Sequence, residues 1–214
     1  MPLIKLIKKT QRGAAILEIL IGFIISLVIL AAVLGLFSNT ISTSGLILER
    51  GKLDRDLYVV MDTIVNDIQR AGYWSNATTT NNNPFMTSPN DIAISSGCIK
   101  FTYDTNNNGT VDDADQIGYG LSNGAIKFRQ SAAIFNCSSI ATWSNLTDPN
   151  VITVTAFTVM PINYPVDIDG SNPGTATTTY RTVYISITAN LVTDPSNTRT
   201  ITRTIKIYNN KYSP

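Results

Sequence analysis

The chain contains no histidine among its 214 residues. This absence excludes zinc sites built on imidazole and nucleophilic catalysis of the Ser-His-Asp type. No serine, cysteine or pair of carboxylates stands in a recognisable catalytic setting either. We therefore expect a protein that is not an enzyme.

Charge is also scarce, because charged residues make up 14% of the chain and the formal net charge is +1. The first 13 positions hold four of the basic residues, and the remaining chain carries 12 basic and 15 acidic side chains, a net charge of −3. Without an excess of basic residues, we expect no dedicated nucleic-acid surface.

What the chain has in excess is a long apolar run near its N-terminus. Residues 14–37 contain one ionisable side chain, Glu18, and they follow a leader with four cations. A helix of that length spans roughly 36 Å, enough to cross a hydrocarbon core of about 30 Å. The cations predict a cytoplasmic leader and an exported remainder. A secretory signal peptide fits less well, because the apolar region of such a peptide is shorter and lies before its cleavage site. In this chain the apolar run is longer, and the candidate cleavage site lies before it.

Glu18 is the unusual residue of this run, because a carboxylate at membrane depth costs on the order of a few kcal/mol and usually has a partner. Cleavage after Gly13 would give Ala14 a free ammonium group one helical turn from Glu18. The two charges could pair within one chain or between neighbouring chains in a bundle. The alternative is an uncleaved signal anchor whose glutamate reaches the membrane interface.

The basic leader followed by Gly13, Ala14 and Glu18 resembles the type IV prepilin signature, which type II secretion pseudopilins share. The resemblance implies that a prepilin peptidase cuts between Gly13 and Ala14 and methylates Ala14. It also implies that Glu18 is the acidic residue of the mature helix. Ala14 and Ala15 depart from the Phe or Met and the Thr that many members carry there.

Beyond the apolar run, hydrophobic residues recur at three- and four-residue steps as far as Ala71. This spacing predicts an amphipathic helix that buries one stripe, so that one helix extends from about residue 15 to 71 and ends at Gly72. Its end resembles the Asp-x-x-Arg-Ala-Gly-aromatic run of PilW-type minor pilins, here Asp67, Arg70, Ala71, Gly72 and Tyr73. J-type pseudopilins share the first part of that run, and residues 207–210 depart from the ending expected of PilW.

From residue 92 onward the pattern is typical of strands separated by turns. Hairpin turns are predicted at 122–124 and 194–197. The predicted strands cover residues 99–103, 116–121, 125–130, 151–159, 179–191 and 198–208. Residues 75–91 are rich in Ser, Thr, Asn and Pro and predict an exposed loop.

The expected fold is α+β, with a long N-terminal pilin helix packed on a C-terminal antiparallel β-sheet domain. Its expected divisions are a leader at 1–13, a transmembrane half of the helix at 14–37, an amphipathic half at 38–72 and an extracytoplasmic β-rich domain at 73–214. The two cysteines, Cys98 and Cys137, fall in that exported domain. An oxidising compartment favours one disulfide between them, and two free buried thiols are the alternative.

Residues 104–115 fit the twelve-residue calcium loop, in which hard oxygen donors surround a sharp turn. Gly109 holds the sixth position, where the chain turns. Position twelve is an aspartate instead of the usual glutamate, and the flanking residues predict strands instead of helices. The alternative is a metal-free turn rich in Asn and Asp. The expected Ca²⁺ donors are Asp104, Asn106, Asn108, the backbone carbonyl of Thr110, Asp112 and Asp115.

By resemblance, we expect a PilW-like minor pilin, which is held in the inner membrane and then drawn into a type IV pilus. Its expected partners are the prepilin peptidase, other minor pilins and the major pilin, and its final location is the periplasm or the cell surface. The implied role is to prime or cap pilus assembly, and twitching motility, adhesion and DNA uptake follow by analogy. A J-type pseudopilin of a type II secretion system is the close alternative. A membrane-anchored, calcium-binding adhesive module that never assembles is the second.

Overall fold

The computed structural model describes residues 12–77, 82–130, 136–170 and 176–213, and it leaves the side chains of residues 12–14 undescribed. Residues 1–11 of the predicted leader and residues 78–81 of the predicted loop lie outside the described residues. One helix, α1, runs from Arg12 to Arg70. The chain forms two compact units, which divide between Leu48 and Glu49.

The first unit contains the apolar part of α1, whose large side chains are exposed, such as Ile16 at 68% and Phe23 at 64%. Its best 18-residue window has a mean hydropathy of 3.0, so the helix is long and apolar enough to cross a membrane. Ser26 and Thr40 each donate a hydrogen bond to the backbone carbonyl four residues earlier. A hydroxyl bonded in this way has its donor satisfied within the helix.

The second unit begins with the last turns of α1, which present one apolar stripe to the domain. The period of three and four residues puts these side chains on one face, and the structure confirms that they are buried from Leu53 onward. Each is at most 5% exposed. The stripe consists of Leu53, Leu57, Val60, Met61, Ile64, Ile68 and Ala71.

The first sheet has five antiparallel strands in the order in which they occur in the chain. A tight turn joins the third and fourth strands, with positive φ angles of 53° at Asn123 and 72° at Gly124, as the Asn-Gly pair predicts. The predicted strands at 99–103, 116–121 and 125–130 are confirmed. The five strands are β1 (Ala93–Ser95), β2 (Cys98–Thr102), β3 (Gln116–Ser122), β4 (Ala125–Gln130) and β5 (Ser144–Asn145).

The second sheet has β7 at its centre, flanked by β6 on one side and by β8 and β9 on the other. Inward side chains of β7 alternate with outward ones, which gives it one buried and one wetter face. Pro161 and Pro165 lie on β6, which is an edge strand, where a missing backbone N–H is tolerated. The strands are β6 (Ile152–Asp167), β7 (Thr177–Leu191), β8 (Thr198–Lys206) and β9 (Lys211–Ser213).

Both sheets and the apolar stripe of α1 contribute to one hydrophobic core, which confirms the α+β prediction. Three short strands were not predicted, namely β1, β5 and β9. A strand of two or three residues is too short to show the alternation of apolar and polar side chains. The predicted strand 151–159 is too short, since β6 continues to Asp167, and the predicted strand 198–208 ends at Lys206. The exposed-loop prediction for 75–91 is wrong at Pro84–Met86, a helical turn that buries Phe85 and Met86.

Candidate functional site

The predicted processing segment lies at the start of α1. Gly13, Ala14 and Glu18 all fall within this helix, and Glu18 is exposed. Because α1 runs unbroken through Gly13, the backbone nitrogen of Ala14 is an amide here and not a free ammonium group, so its pairing with Glu18 stays a prediction.

The end of α1 carries a carboxylate that binds three groups at once. Asp67 accepts hydrogen bonds from the hydroxyls of Tyr103 and Tyr119. Tyr103 directly follows β2, and Tyr119 lies in β3. It also accepts from the guanidinium of Arg70, one helical turn further on. The Arg70 guanidinium lies 4.5 Å from the centre of the Tyr103 ring, so it stacks as well as pairs. These four residues form the helix-end cluster, Asp67, Arg70, Tyr103 and Tyr119.

The helix-end cluster couples two elements that are far apart in the sequence. Tyr119 is fully buried and Tyr103 is 5% exposed, so both hydroxyls need a partner within the protein. Burial, together with the negative charge and hydrogen bonding of Asp67, raises the pKa of both phenols far above the ordinary value. Asp67 therefore holds two neutral tyrosines against the last turn of α1.

Gly72 ends the helix in a conformation that other residues adopt only with strain. Its φ angle is +75°, in the left-handed region typical of a glycine after a helix. A Cβ atom at this position would lie 2.6 Å from Cε of Met86, so a larger residue would also collide with the domain. The Asp-x-x-Arg-Ala-Gly run thus has a physical basis, since Asp67 and Arg70 hold the helix end and Gly72 turns the chain.

The loop at 104–115 is closed by hydrogen bonds to its own carboxylates. Asp104 is 2% exposed and accepts from the backbone N–H groups of Ser75, Asn108 and Gly109 and from the Ser75 hydroxyl. Burial alone would raise the pKa of Asp104, but these hydrogen bonds outweigh it and hold the pKa below its usual value. Asp104 is therefore ionised near neutral pH.

Asp112 and Asp115 hold the second half of the loop. Asp115 is fully buried and accepts from the backbone N–H groups of Thr105 and Asp112, at 2.8 and 3.0 Å. Asp112 accepts from the side-chain amides of Asn106 and Asn108, each at 3.0 Å. The hydrogen bond from the Asn106 amide, followed by that from the Ala114 backbone N–H, lowers the pKa of Asp112 below its usual value.

The donor set of this loop suits calcium in the type of its oxygens, which come from carboxylates, amides and a carbonyl. Within the described ranges, no three Asp, Glu, Cys or His side chains are grouped as they would be around a metal. Asn106 and Asn108 direct N–H groups at Asp112, so a bound cation would require both amides to turn their oxygens inward. The structure brings the predicted ligands into one loop and leaves calcium binding a prediction.

A disulfide joins Cys98 in β2 to Cys137, which opens a helical turn before β5. Cys98 is fully buried. The bond closes a span of 39 residues and ties that turn to the first sheet. The alternative of two free thiols is thereby excluded.

Most of the chain matches the model of a known protein family. A family model described as prepilin peptidase-dependent protein B (PpdB) matches residues 47–207, about three quarters of the chain. The chain belongs to the PpdB family. No curated protein and no solved structure matches it.

Membership of the PpdB family confirms the pilin-related assignment and leaves the narrower PilW assignment a prediction. The match begins in the last turns of α1 and contains the helix-end cluster and both sheets as far as β8. The apolar run with Glu18 and the segment after residue 207 lie outside it.

Sequence reasoning found two members of the helix-end cluster, Asp67 and Arg70, and missed Tyr103 and Tyr119. One signal could have indicated that Asp67 faces the domain, because it lies three residues after Ile64 and next to Ile68, on the edge of the buried stripe. No local signal marks the tyrosines as its partners.

Proposed function

We propose that this PpdB-family chain is a minor pilin, a structural subunit that primes or caps a type IV pilus. The observation that carries the proposal is the continuous helix α1, whose apolar half precedes the folded domain matched by the family. Such a helix anchors the subunit in the inner membrane with its N-terminus in the cytoplasm, and then packs among the helices of its neighbours. The family's name states a dependence on prepilin peptidase, which accords with a cut between Gly13 and Ala14.

Processing by the peptidase is the first test. In cells that contain prepilin peptidase, we expect the mature chain to begin at Ala14 and to carry one added methyl group on its amino nitrogen. Mass spectrometry of the intact protein and of its N-terminal peptide measures both changes. A strain without the peptidase is the control and should retain Met1 and the leader. A chain that keeps its leader when the peptidase is present would support the anchored, non-assembling module instead.

Assembly through Glu18 is the second test. We expect Glu18→Ala to be processed and folded but excluded from filaments, because the Ala14 ammonium of a neighbouring subunit then lacks its counter-charge. Immunoblots of sheared filaments and of membranes measure the distribution. Glu49→Ala is the matched control, since Glu49 is the other glutamate in the chain and is exposed on the same helix. Equal entry of the two variants into filaments would contradict this role for Glu18.

The J-type pseudopilin remains the second candidate, because it uses the same helix and shares the Asp67–Arg70 spacing. A deletion strain separates the two functions. Loss of pili and twitching with normal protein secretion supports the minor pilin, whereas loss of secretion with normal pili supports the pseudopilin.

We further propose that the loop at 104–115 binds Ca²⁺ weakly, with a dissociation constant of about 10⁻⁴–10⁻³ M, as extracellular calcium modules do. The support is the type and spacing of its oxygens and the ionised Asp104. Isothermal titration should show binding that Asp112→Asn weakens and Asp113→Asn does not, because Asp113 is exposed and outside the expected ligand set. If millimolar Ca²⁺ gives neither a heat of binding nor a shift in the melting temperature, the loop is a metal-free turn.

A further inference from the structure

The strand β8 lies at the edge of the second sheet, and its outer side is open. Within the described part of the chain, β8 pairs with β7 along one side and with no other strand. It has nine residues and contains neither proline nor glycine. An edge of this kind presents a row of backbone N–H and C=O groups to which a strand of another chain can bond.

The other edge strands of the two sheets are short or interrupted. β1, β5 and β9 have two or three residues each. β6 is long, but Pro161 and Pro165 lack N–H groups, and a bulge between Val154 and Ala156 shifts its register. The N–H of Val154 also bonds to the carbonyl of Gly124 in the first sheet. Short strands, prolines and bulges are the usual protection of a sheet edge, and β8 has none of them.

The strand register shows which backbone groups of β8 face the open side. The N–H of Ile207 donates to the carbonyl of Arg181, so the odd-numbered residues of β7 direct their backbone groups toward β8. Their partners in β8 are also odd-numbered, as in the pair of Ile187 and Ile201. The even-numbered residues of β8 therefore direct their N–H and C=O groups away from β7. Among these are four threonines whose side chains are exposed, Thr198, Thr200, Thr202 and Thr204.

The protein holds β8 in an extended form before any partner arrives. Ile201 and Ile205 are at most 5% exposed, and they anchor one face of the strand in the core. The threonines on the other face are β-branched, which favours extended backbone. A partner strand therefore meets an edge that is already ordered, and binding costs little conformational entropy on this side.

The basic side chains of β8 lie over the sheet and leave its edge open. The guanidinium of Arg199 lies 2.8 Å from a carboxylate oxygen of Asp54 in α1. That of Arg203 lies 5.8 Å from the centre of the Tyr58 ring, also in α1. Both arginines thus project toward α1, on the face of the sheet that contacts the helix. They do not extend across the path of an incoming strand.

The charge of β8 selects the kind of partner. Arg199, Arg203 and Lys206 give the strand three basic side chains, and it has no acidic one. The β8 strand of a second copy would add three more cations along the same seam, and like charges on neighbouring strands repel. Carboxylates on an incoming strand would be attracted instead. The open edge is therefore complementary to an acidic strand and not to a second copy of itself.

We propose that the open edge of β8 binds an extended acidic segment of a different protein, which joins the second sheet as a further strand. The backbone of that segment bonds to the outward N–H and C=O groups of the four threonines. Two carboxylates four residues apart lie opposite Arg199 and Arg203, and an apolar residue between them lies opposite Ile201. The site does not depend on the type of filament or on processing, so it does not rest on the proposed function.

Two labelled peptides test the site on the purified full-length chain in a non-ionic detergent. The acidic probe has nine residues, with threonine at the odd positions, valine at the second and sixth and glutamate at the fourth and eighth. The basic probe has lysine in place of both glutamates. Fluorescence anisotropy should show saturable binding of the acidic probe that is at least about tenfold tighter than that of the basic one. The reason is that two cross-strand pairs change from attraction to repulsion.

Hydrogen exchange shows where the acidic probe binds. The amides of Thr200, Thr202 and Thr204 should exchange several-fold more slowly when the probe is present, because each gains a hydrogen bond. The amides of Ile201 and Ile205 already bond to β7 and should change little. This measurement uses the unaltered chain, so it does not depend on the folding of any variant.

Thr202→Pro removes one N–H from the open side and leaves the hydrogen bonds to β7 in place. We expect it to weaken binding of the acidic probe about tenfold or more, because the ring also obstructs an adjacent strand. Thr202→Val is the matched control, since it keeps the N–H and the β-branched shape, and it should bind as the wild type does. Far-ultraviolet circular dichroism confirms that each variant is folded.

Four results would overturn the proposal. The acidic probe does not bind, or the basic probe binds as tightly. The probe binds, but the amides that it protects lie outside β8. A folded Thr202→Pro chain binds the acidic probe as the wild type does. The chain self-associates without a probe and protects the same amides, in which case a second copy occupies the edge.

Discussion

Removal of the Cys98–Cys137 disulfide is expected to lower the free energy of unfolding of the second unit by about 4 kcal/mol. The chain-entropy argument gives this value for a closed span of 39 residues, because the crosslink restricts the unfolded chain. The suitable variant is Cys98→Ala with Cys137→Ser, since Cys98 is fully buried and a serine there would bury a hydroxyl group. In urea unfolding, the urea concentration at the midpoint should fall by roughly 2 M, given how steeply the free energy of unfolding typically depends on urea concentration.

The wild-type chain under reducing conditions provides the control for this variant. A thiol reductant should lower the wild-type midpoint toward that of the variant and leave the variant's midpoint unchanged. If the midpoints of oxidised and reduced wild type coincide, the disulfide does not stabilise the domain. The proposed export of this domain would place its folding in an oxidising compartment, so the same loss should reduce the amount of protein in a strain that cannot form disulfides.

Loss of the Asp67 carboxylate is expected to destabilise the domain by about 3 kcal/mol. Asp67→Ala leaves the hydroxyls of Tyr103 and Tyr119 without their acceptor, and each unpaired buried group costs about 1–3 kcal/mol. Urea unfolding measures the change. Asp62→Ala is the matched control, because Asp62 is exposed on the same helix and should shift stability by less than about 0.5 kcal/mol.

A double-mutant cycle assigns this effect to the helix-end cluster. Tyr119→Phe removes one hydroxyl and should cost less than Asp67→Ala, while the two changes together should cost clearly less than the sum of their separate effects. Strict additivity would show that Asp67 does not act through Tyr119.

The helix-end cluster also predicts how stability depends on alkaline pH. The folded-state pKa of both phenols is raised above the unfolded value of about 10, so their contribution is fully present below that pH. As pH rises above about 10, the unfolded state loses phenolic protons that the folded state retains, and stability falls. The fall should be smaller in Tyr119→Phe than in the wild type, as measured by urea unfolding at successive pH values.

Most of the secondary structure could be predicted because its signals are local. The three- and four-residue spacing of apolar side chains indicated α1, and the Asn123-Gly124 pair indicated the β3–β4 turn. The strand at 125–130 coincides with β4. Among the strands that were predicted, β6 was the least accurate, because its outer half has exposed side chains and lacks the alternation that marks a half-buried strand.

The candidate sites, too, were predictable only where their signals are local. The disulfide was predictable, because two cysteines allow one pairing within a chain. The calcium-type loop was visible as a spacing of oxygen side chains, but its hydrogen bonds to Ser75 were not. The loop at 75–91 appeared exposed from its composition, although Phe85 and Met86 are buried.

The sequence alone determined the properties that depend on neighbouring residues. These are the length of the apolar helix, the single acid at Glu18 behind a basic leader, the amphipathic stripe and the positions of most strands. Tertiary structure decided which distant groups meet, namely Asp67 with Tyr103 and Tyr119, and Ser75 with Asp104. The physical reason is that a contact between residues tens of positions apart depends on strand register and loop closure, which no local period encodes.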